Sequence, residues 1–434
     1  MARLPIVGLS VAVVLLIVVI PGSSLAQSDR DVEELLVLFE AKDLYVSAAT
    51  RHEKPLSQVA ENITIVTSRD MMGAHTLADV LASVVGVQLD LVPSPGIPTL
   101  IHIQGSESRQ VRLVVDNVSL NGLSDYVADL GAIPVQNIER IEIIKGPASS
   151  AWGSSSGGII NVITKSPPAG GHQETLSASY GERNTSDLRT EASGKEGVVG
   201  YYLSLGRLHS NGFSPNMGAE LYNAYGKLQF DLGKTTSLKV TFASDKGMRG
   251  FGLDSGNDLR FDNTYTNQFF TANITSQLSD KVSVEGYANH RRADFSTSVS
   301  LLSEGISLDR TRFLDRVTGL GGKVVATLGR DSLVAGVDYS KGTLSSDSIR
   351  GQEQGIEERG AYINYTLVKD RFSLTPGLRF DDIPPPGPFL ALVSALPSCS
   401  IRTFFSGRLF RADSARHLLR RRSARPFSLP PIRD

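Results

Sequence analysis

The chain has 434 residues, a formal net charge of −1 and 41% apolar residues, so its length admits two or three domains and its charge gives no pull toward nucleic acid or an anionic surface. Its single cysteine, Cys399, excludes a disulfide framework and a cysteine-rich metal site. These averages conceal several changes of texture along the chain.

Met1 to Ala26 carries one early cation, Arg3, an apolar run from Val11 to Ile20, and then Pro21-Gly22-Ser23-Ser24-Leu25-Ala26. This order predicts a secretory signal peptide cut after Ala26. The alternative is a membrane anchor, but the run is shorter than the ~20 apolar residues of a spanning helix and no stop-transfer charges follow. After Ala26 no stretch is apolar enough to span as a helix, so a membrane-embedded mature protein must be a β-barrel, in which every backbone group is paired.

Asp29 to Lys42, with Leu35, Leu36, Leu38 and Phe39 among acids, reads as a short amphipathic helix at best, and residues 43–51 read as an extended, β-prone segment. Ile63 to Thr67 alternates as a strand. Thr76 then caps a helix predicted over Leu77 to Val85, with Leu77, Val80, Leu81 and Val84 on one face and Gly86 at its end. Ile101-His102-Ile103-Gln104-Gly105 and Val111-Arg112-Leu113-Val114-Val115-Asp116 are two strands joined by a polar turn. A turn-rich link from Asn117 to Gly122 follows. The next segment, Ile138-Glu139-Arg140-Ile141-Glu142-Ile143-Ile144-Lys145-Gly146-Pro147, is a strand ending in a Gly-Pro turn. A small-residue loop from Ala151 to Gly158 leads into a second strand, Ile159-Ile160-Asn161-Val162-Ile163-Thr164.

Residues 138–165 closely resemble the end of the plug domain of TonB-dependent outer-membrane receptors, and the helix and strands before them match the earlier plug elements. The resemblance implies an α+β plug, a small mixed sheet with short helices, inside a transmembrane antiparallel β-barrel. The chain departs from the family at Gln104, where Arg is preferred, at Asn117, where Gly is preferred, and at Trp152, where Tyr is preferred. Asn tolerates the left-handed backbone that Gly supplies, so the second change is absorbed locally.

The resemblance further implies a TonB box at Asp43, Leu44, Tyr45, Val46, Ser47, Ala48 and Ala49, which would add as a strand to the sheet of a partner, TonB of the TonB–ExbB–ExbD complex. An ordinary linker strand is the alternative. Plug–barrel contacts fall by position on Arg140, Glu142 and Lys145, with plain surface charge as the alternative. Gly146, Gly153, Gly157 and Gly158 take structural roles in the plug. No cofactor is implied.

Chemistry is weakly signalled. Gly153-Ser154-Ser155-Ser156-Gly157 fits the G-x-S-x-G of hydrolases, but a strand rather than a helix follows it and no triad order is evident. The same loop lacks the Lys-Ser/Thr of a phosphate-binding loop. The seven histidines are scattered without metal-binding spacing, so His102 reads as a packed or surface residue.

From Glu174 the texture turns to alternating, moderately apolar segments of ~10 residues with polar turns, the signature of barrel strands. Tyr180, Tyr201, Phe230, Tyr287 and Phe372 fall near segment ends, where an aromatic girdle would sit. The polar stretch from Lys246 to Asn267 suits an extracellular loop. About ten to twelve candidate strands precede Ile383, against the ~22 of plugged transporters. From Pro384 the period-2 pattern gives way to Pro384-Pro385-Pro386-Gly387-Pro388 and later Arg420-Arg421-Arg422, read either as a stretch translated out of frame or as a basic, disordered tail.

The expected organisation is therefore a signal peptide (1–26), a periplasmic segment with the box (27–52), a plug (53–168), an N-terminal part of a barrel (171–383) and an aberrant tail (384–434). By resemblance the chain binds a scarce solute outside an outer membrane, a ferric siderophore in the first instance, with haem, cobalamin or a glycan as alternatives. The partners are TonB, outer-membrane lipid and a small solute. A receptor that also signals would need an extra domain ahead of the box. A non-functional fragment is the remaining alternative, since an unclosed barrel leaves a strand edge that lipid cannot satisfy.

Overall fold

A computed structural model describes residues 45–90, 94–148, 150–153, 155–348, 353–369, 372–382 and 389–395. The expected signal peptide, Asp43, Leu44 and nearly all of the expected tail lie outside these residues.

The plug opens with two-residue strands β1 (Tyr45–Val46) and β2 (Lys54–Pro55), then β3 (Ile63–Thr67) and helix α1 (Leu77–Leu81). The hairpin β4 (Val87–Asp90) and β5 (Leu100–Ile103) follows, then β6 (Val111–Val115), β7 (Val118–Ser119), β8 (Ile138–Lys145) and β9 (Gly158–Thr164). Five of these form one mixed sheet in the order β3-β8-β9-β6-β7, with β6 and β9 parallel and the other pairs antiparallel. β8 and β9 lie at its centre and are buried on both faces, which is why they read as near-continuous apolar runs rather than alternating ones.

Helix α1 is shorter than the Leu77 to Val85 expected from periodicity. Its start is as expected, with the Asp79 carboxylate accepting the Thr76 amide at 2.8 Å. Beyond Leu81 the ladder tightens: the Val84 amide bonds the Leu81 carbonyl, and the Ser83 hydroxyl takes the Val80 carbonyl at 2.9 Å. Ser83 thus competes with the helix for its own backbone, and Gly86 turns the chain at φ +81°.

The wall is a twelve-stranded antiparallel sheet in sequence order. It runs through β10 (Gly171–Gly181), β11 (Thr185–Glu196), β12 (Val199–Ser210), β13 (Ala219–Asp231), β14 (Thr236–Asp254) and β15 (Leu259–Ser279). It continues through β16 (Val282–Leu301), β17 (Ser307–Leu328), β18 (Asp331–Ser346), β19 (Glu353–Lys369), β20 (Phe372–Asp382) and β21 (Phe389–Ala395). Among the described residues β10 and β21 are its two edges and the sheet does not close on itself, and β10 is exposed along its whole length. Strand β21 lies past residue 383, where the alternating pattern ends in the sequence. It pairs with β20 from Thr375↔Ala395 to Asp381↔Phe389.

Strands alternate between the lumen and the outside, as in β12 and β20. The connections at one end are tight (residues 197–198, 280–281 and 329–330), whereas those at the other end include the longer 211–218 and 302–306. Bacterial barrels keep their short turns on the periplasmic side. Strands β14 to β17 run 19 to 22 residues, about twice what a bilayer crossing requires. The polar stretch from Lys246 to Asn267 is accordingly no loop. It continues the β14–β15 ladder, with Lys246 opposite Thr266, and turns only at residues 255–258. Tyr287 is no girdle residue either: its hydroxyl bonds Asp338 at 2.5 Å inside the lumen.

One apolar core unites plug and wall. Leu77, Leu81, Leu113, Ile141, Ile143 and Ile160 cluster with Tyr202, Tyr225, Ala243 and Phe269 of the barrel strands.

Candidate site at the entry of the plug

The segment that leads into the plug is fastened by a few long-range contacts. Glu142, on the central strand β8, is fully buried. Its Oε2 accepts the amides of Ser47 (3.0 Å) and Ala48 (2.7 Å), the Ser47 hydroxyl (3.1 Å) and the Asn161 amide group (3.2 Å). Its Oε1 accepts Arg140 Nε at 2.9 Å. A buried carboxylate is tolerated because donors surround it on every side. Burial works against the Arg140 charge, but the Glu142 carboxylate outweighs it and raises the guanidinium above its ordinary value. Trp152 Nε1 donates to the Ala48 carbonyl, so the Ser47–Ala48 backbone is gripped from both sides.

A few residues on, Arg51 reaches the barrel. Its Nη1 contacts Asp338 Oδ1 at 2.7 Å, and its guanidinium lies 4.5 Å from the Trp152 ring centroid and 5.7 Å from that of Tyr362. Burial alone would lower the Arg51 pKa, but Asp338 reverses this and holds it above the usual guanidinium range. Lys323 Nζ bonds the Arg51 carbonyl. Arg379 of β20 joins the group through Asp338 at 3.2 Å and Asp381 at 2.7 Å.

Of the expected box, Tyr45 is 45% exposed, Val46, Ala48 and Ala49 are buried, and Ser47 is half-buried. The expected plug–barrel role of Arg140, Glu142 and Lys145 is not what the geometry gives. Arg140 meets Glu142 and Glu53, Glu142 meets Ser47, Ala48 and Asn161, and Lys145 donates to the Val85 carbonyl, all inside the plug. The polar side chains of β8 find these partners within the plug, while its apolar Ile141 and Ile143 meet the wall.

The wall is contacted by residues that local pattern did not mark. Asp116 pairs with Lys227 at 3.3 Å and with the Tyr225 hydroxyl at 2.9 Å, and Asp129 pairs with Arg249 at 2.7 Å. Asp315 accepts the Leu123 amide at 2.8 Å. Burial would raise the Asp116 pKa, but Lys227 and the Thr164 and Tyr225 hydroxyls overcome it and hold the carboxyl below its usual range.

The four glycines sit where a side chain does not fit. Gly146 and Gly153 have φ of +101° and +72°. A Cβ on Gly157 would lie 2.6 Å from Ser106 Oγ, and one on Gly158 2.4 Å from the Ile144 carbonyl oxygen. Ser155, the centre of the hydrolase-like motif, is buried with its hydroxyl toward the Gly153 carbonyl at 3.4 Å, and strand β9 follows in place of a helix. Among the described residues no cluster of His, Cys, Asp and Glu could hold a metal ion, and no helix is long and apolar enough to cross a membrane.

The family model of the TonB-dependent receptor plug domain matches residues 55–159. The chain is similar to a vitamin B12 transporter BtuB of Vibrio vulnificus strain YJ016, 24% identical over 368 residues, covering 79% of this chain and 57% of the relative. A BtuB from strain CMCP6 of the same species is 34% identical over 162 residues, covering 36% of this chain and 27% of the relative. Among solved structures, P. aeruginosa FpvA bound to a heterologous pyoverdine superimposes with a TM-score of 0.65 at 16% identity, covering 82% of this chain and 55% of that one. The ferric-catecholate import receptor Fiu of E. coli K12 gives 0.63 at 16% identity, covering 79% and 63%. The chain thus spans between about a quarter and three fifths of the length of the curated relatives it matches.

Proposed function

We propose that the chain is a TonB-dependent outer-membrane receptor that forms the plug and part of the wall of an energy-coupled importer, a reading supported by the plug-domain match over residues 55–159 and by the BtuB relatives. In this reading, residues 43–49 add as a strand to TonB of the TonB–ExbB–ExbD complex once the Ser47–Ala48 backbone leaves Glu142 and Trp152, in a protein exported by its leader and seated in outer-membrane lipid. The observation that carries it is the seat of Ser47, Ala48 and Arg51. One end of the segment is held by the plug through Glu142 and the other by the wall through Asp338. Tension on the box therefore falls first on bonds that join plug to backbone and plug to barrel. No covalent chemistry is needed, because the work arrives through the partner.

The cargo we assign is a small metal chelate, a ferric siderophore in the first instance. Cobalamin is the second reading, favoured by the BtuB relatives at 24% and 34% identity. The test is accumulation of radiolabelled ferric siderophore and of radiolabelled cobalamin by cells lacking their own receptors and expressing this chain. Uptake abolished by Leu44→Pro, which prevents strand pairing with the partner, supports the reading. Absence of uptake of both solutes refutes it.

A further inference from the structure

Between the plug and strands β16 to β20 lies a chamber of about 150 Å3, continuous through shared lining residues with a neighbouring space of about 90 Å3. Each is many times the volume that holds one water. Arg112 of the plug, Arg291 of β16 and Arg379 of β20 line both spaces. Arg379 is neutralised by Asp381 and Asp338. The other two guanidiniums are not: among the described residues no carboxylate lies within ion-pair distance of Arg112 or Arg291.

What Arg112 and Arg291 contact instead is neutral. Arg112 Nη1 donates to the Trp152 carbonyl at 2.7 Å. Arg291 Nε donates to Asn267 Oδ1 at 3.0 Å, and its Nη1 to the Asn121 carbonyl at 2.8 Å. A guanidinium carries five N–H donors, so both keep donors for a further acceptor. Burial, and then the charge of Arg51, pull Arg112 below the usual guanidinium range, and Glu358 offsets them only in part. Among the described lining residues Glu358 is the one carboxylate outside the Arg379 and Arg51 pairs, and Asp315, outside the lining, acts on Arg291 without an ion-pair contact. Lumen-facing strands and the plug line the space, which points to a soluble ligand rather than a lipid headgroup.

We propose that this chamber is an oxyanion-binding site, taking a phosphate or carboxylate group of a small solute between Arg112 and Arg291. Planar guanidiniums with free N–H pairs match such groups bidentately. The site is a property of plug and wall together and is read independently of uptake.

The test uses the full chain in detergent micelles, titrated calorimetrically with inorganic pyrophosphate and separately with citrate. We expect saturable binding of one or both, the preference separating phosphate from carboxylate ligands. Ser340→Asp places a carboxylate on the chamber wall and should weaken binding by tenfold or more, and Asn289→Asp should do the same from β16. Lys234→Gln changes net charge equally at a remote hairpin and should leave binding unchanged. Circular dichroism melts confirm that each variant is folded. Absence of saturable binding of both probes overturns the proposal. So does binding that Lys234→Gln weakens as much as the chamber variants, which signals an adventitious ion only.

Discussion

Replacing Glu142 by Gln keeps the side chain's shape and removes its charge, and the bonds around it set the consequence. The carboxylate accepts five hydrogen bonds, four on Oε2 and one on Oε1. A glutamine has one acceptor oxygen. Turned toward Ser47 and Ala48, it presents an N–H2 group to Arg140; turned toward Arg140, it presents that group to two backbone amides. Removing one partner of a buried ion pair costs about 3–5 kcal/mol. Arg140 keeps Glu53 at 3.3 Å, so the lower end, about 3 kcal/mol, applies here. At 1.4 kcal/mol per decade, that opens residues 47–51 about 100-fold more often. Hydrogen exchange of the Ser47 and Ala48 amides, followed by mass spectrometry on a peptide spanning them, reads this directly. Unchanged protection in a folded Glu142→Gln protein would refute the assignment of Glu142 as the anchor.

Three further outcomes are expected. In a double-mutant cycle, Arg51→Ala and Asp338→Ala should be coupled by about 2 kcal/mol in urea unfolding; additive losses would show that the pair contributes nothing. Gly158→Ala should cost about 3 kcal/mol or more, because the position has φ +142° and the methyl would meet the Ile144 carbonyl at 2.4 Å, and a thermal melt equal to wild type would exclude this. Protonated His102 donates from Nε2 to the Asp90 carboxylate, which raises the His102 pKa above its ordinary value of about 6.5. That stabilisation is complete below about pH 6.5 and is lost as pH rises through the folded value, so exchange protection of the β4–β5 hairpin should fall from pH 6 to pH 8. His102→Gln should remove this pH dependence, and its persistence would assign it to another group.

Much of the plug was legible in the chain because its signals are local. The apolar runs of β8 and β9, the Thr76–Asp79 cap and the tight backbone at Gly157 and Gly158 each depend on neighbours close in sequence. Asn117 indeed adopts the left-handed conformation, at φ +69°. The barrel's alternation was legible for the same reason, but hairpin lengths were not. Polar residues on a strand that rises past the bilayer look like a loop, as the stretch from Lys246 to Asn267 does. What composition and spacing could not supply was the pairing of charges. Arg51 and Asp338 are 287 residues apart, and Ser47 and Glu142 are 95 apart. The family motif drew attention to Arg140 and Glu142 but not to the direction in which they face. Trp152, noted only as a departure from the family, stacks on Arg51 and bonds the Ala48 carbonyl.

The core shared by plug and wall bears on how force can act on the molecule. Withdrawing the plug as a rigid block would strip Tyr202, Tyr225, Ala243 and Phe269 of their partners at once, a shear geometry in which all contacts resist together. The entry segment is loaded differently. Ala48 is gripped by Glu142 and Trp152, and Arg51 by Asp338, at successive points along one strand of chain. A pull from the N-terminus meets these points one after another, as in peeling. Peeling needs far less force than shear for the same total work. The chain therefore yields first along its thinnest seam, while the sheet of β8 and β9 stays packed against the wall.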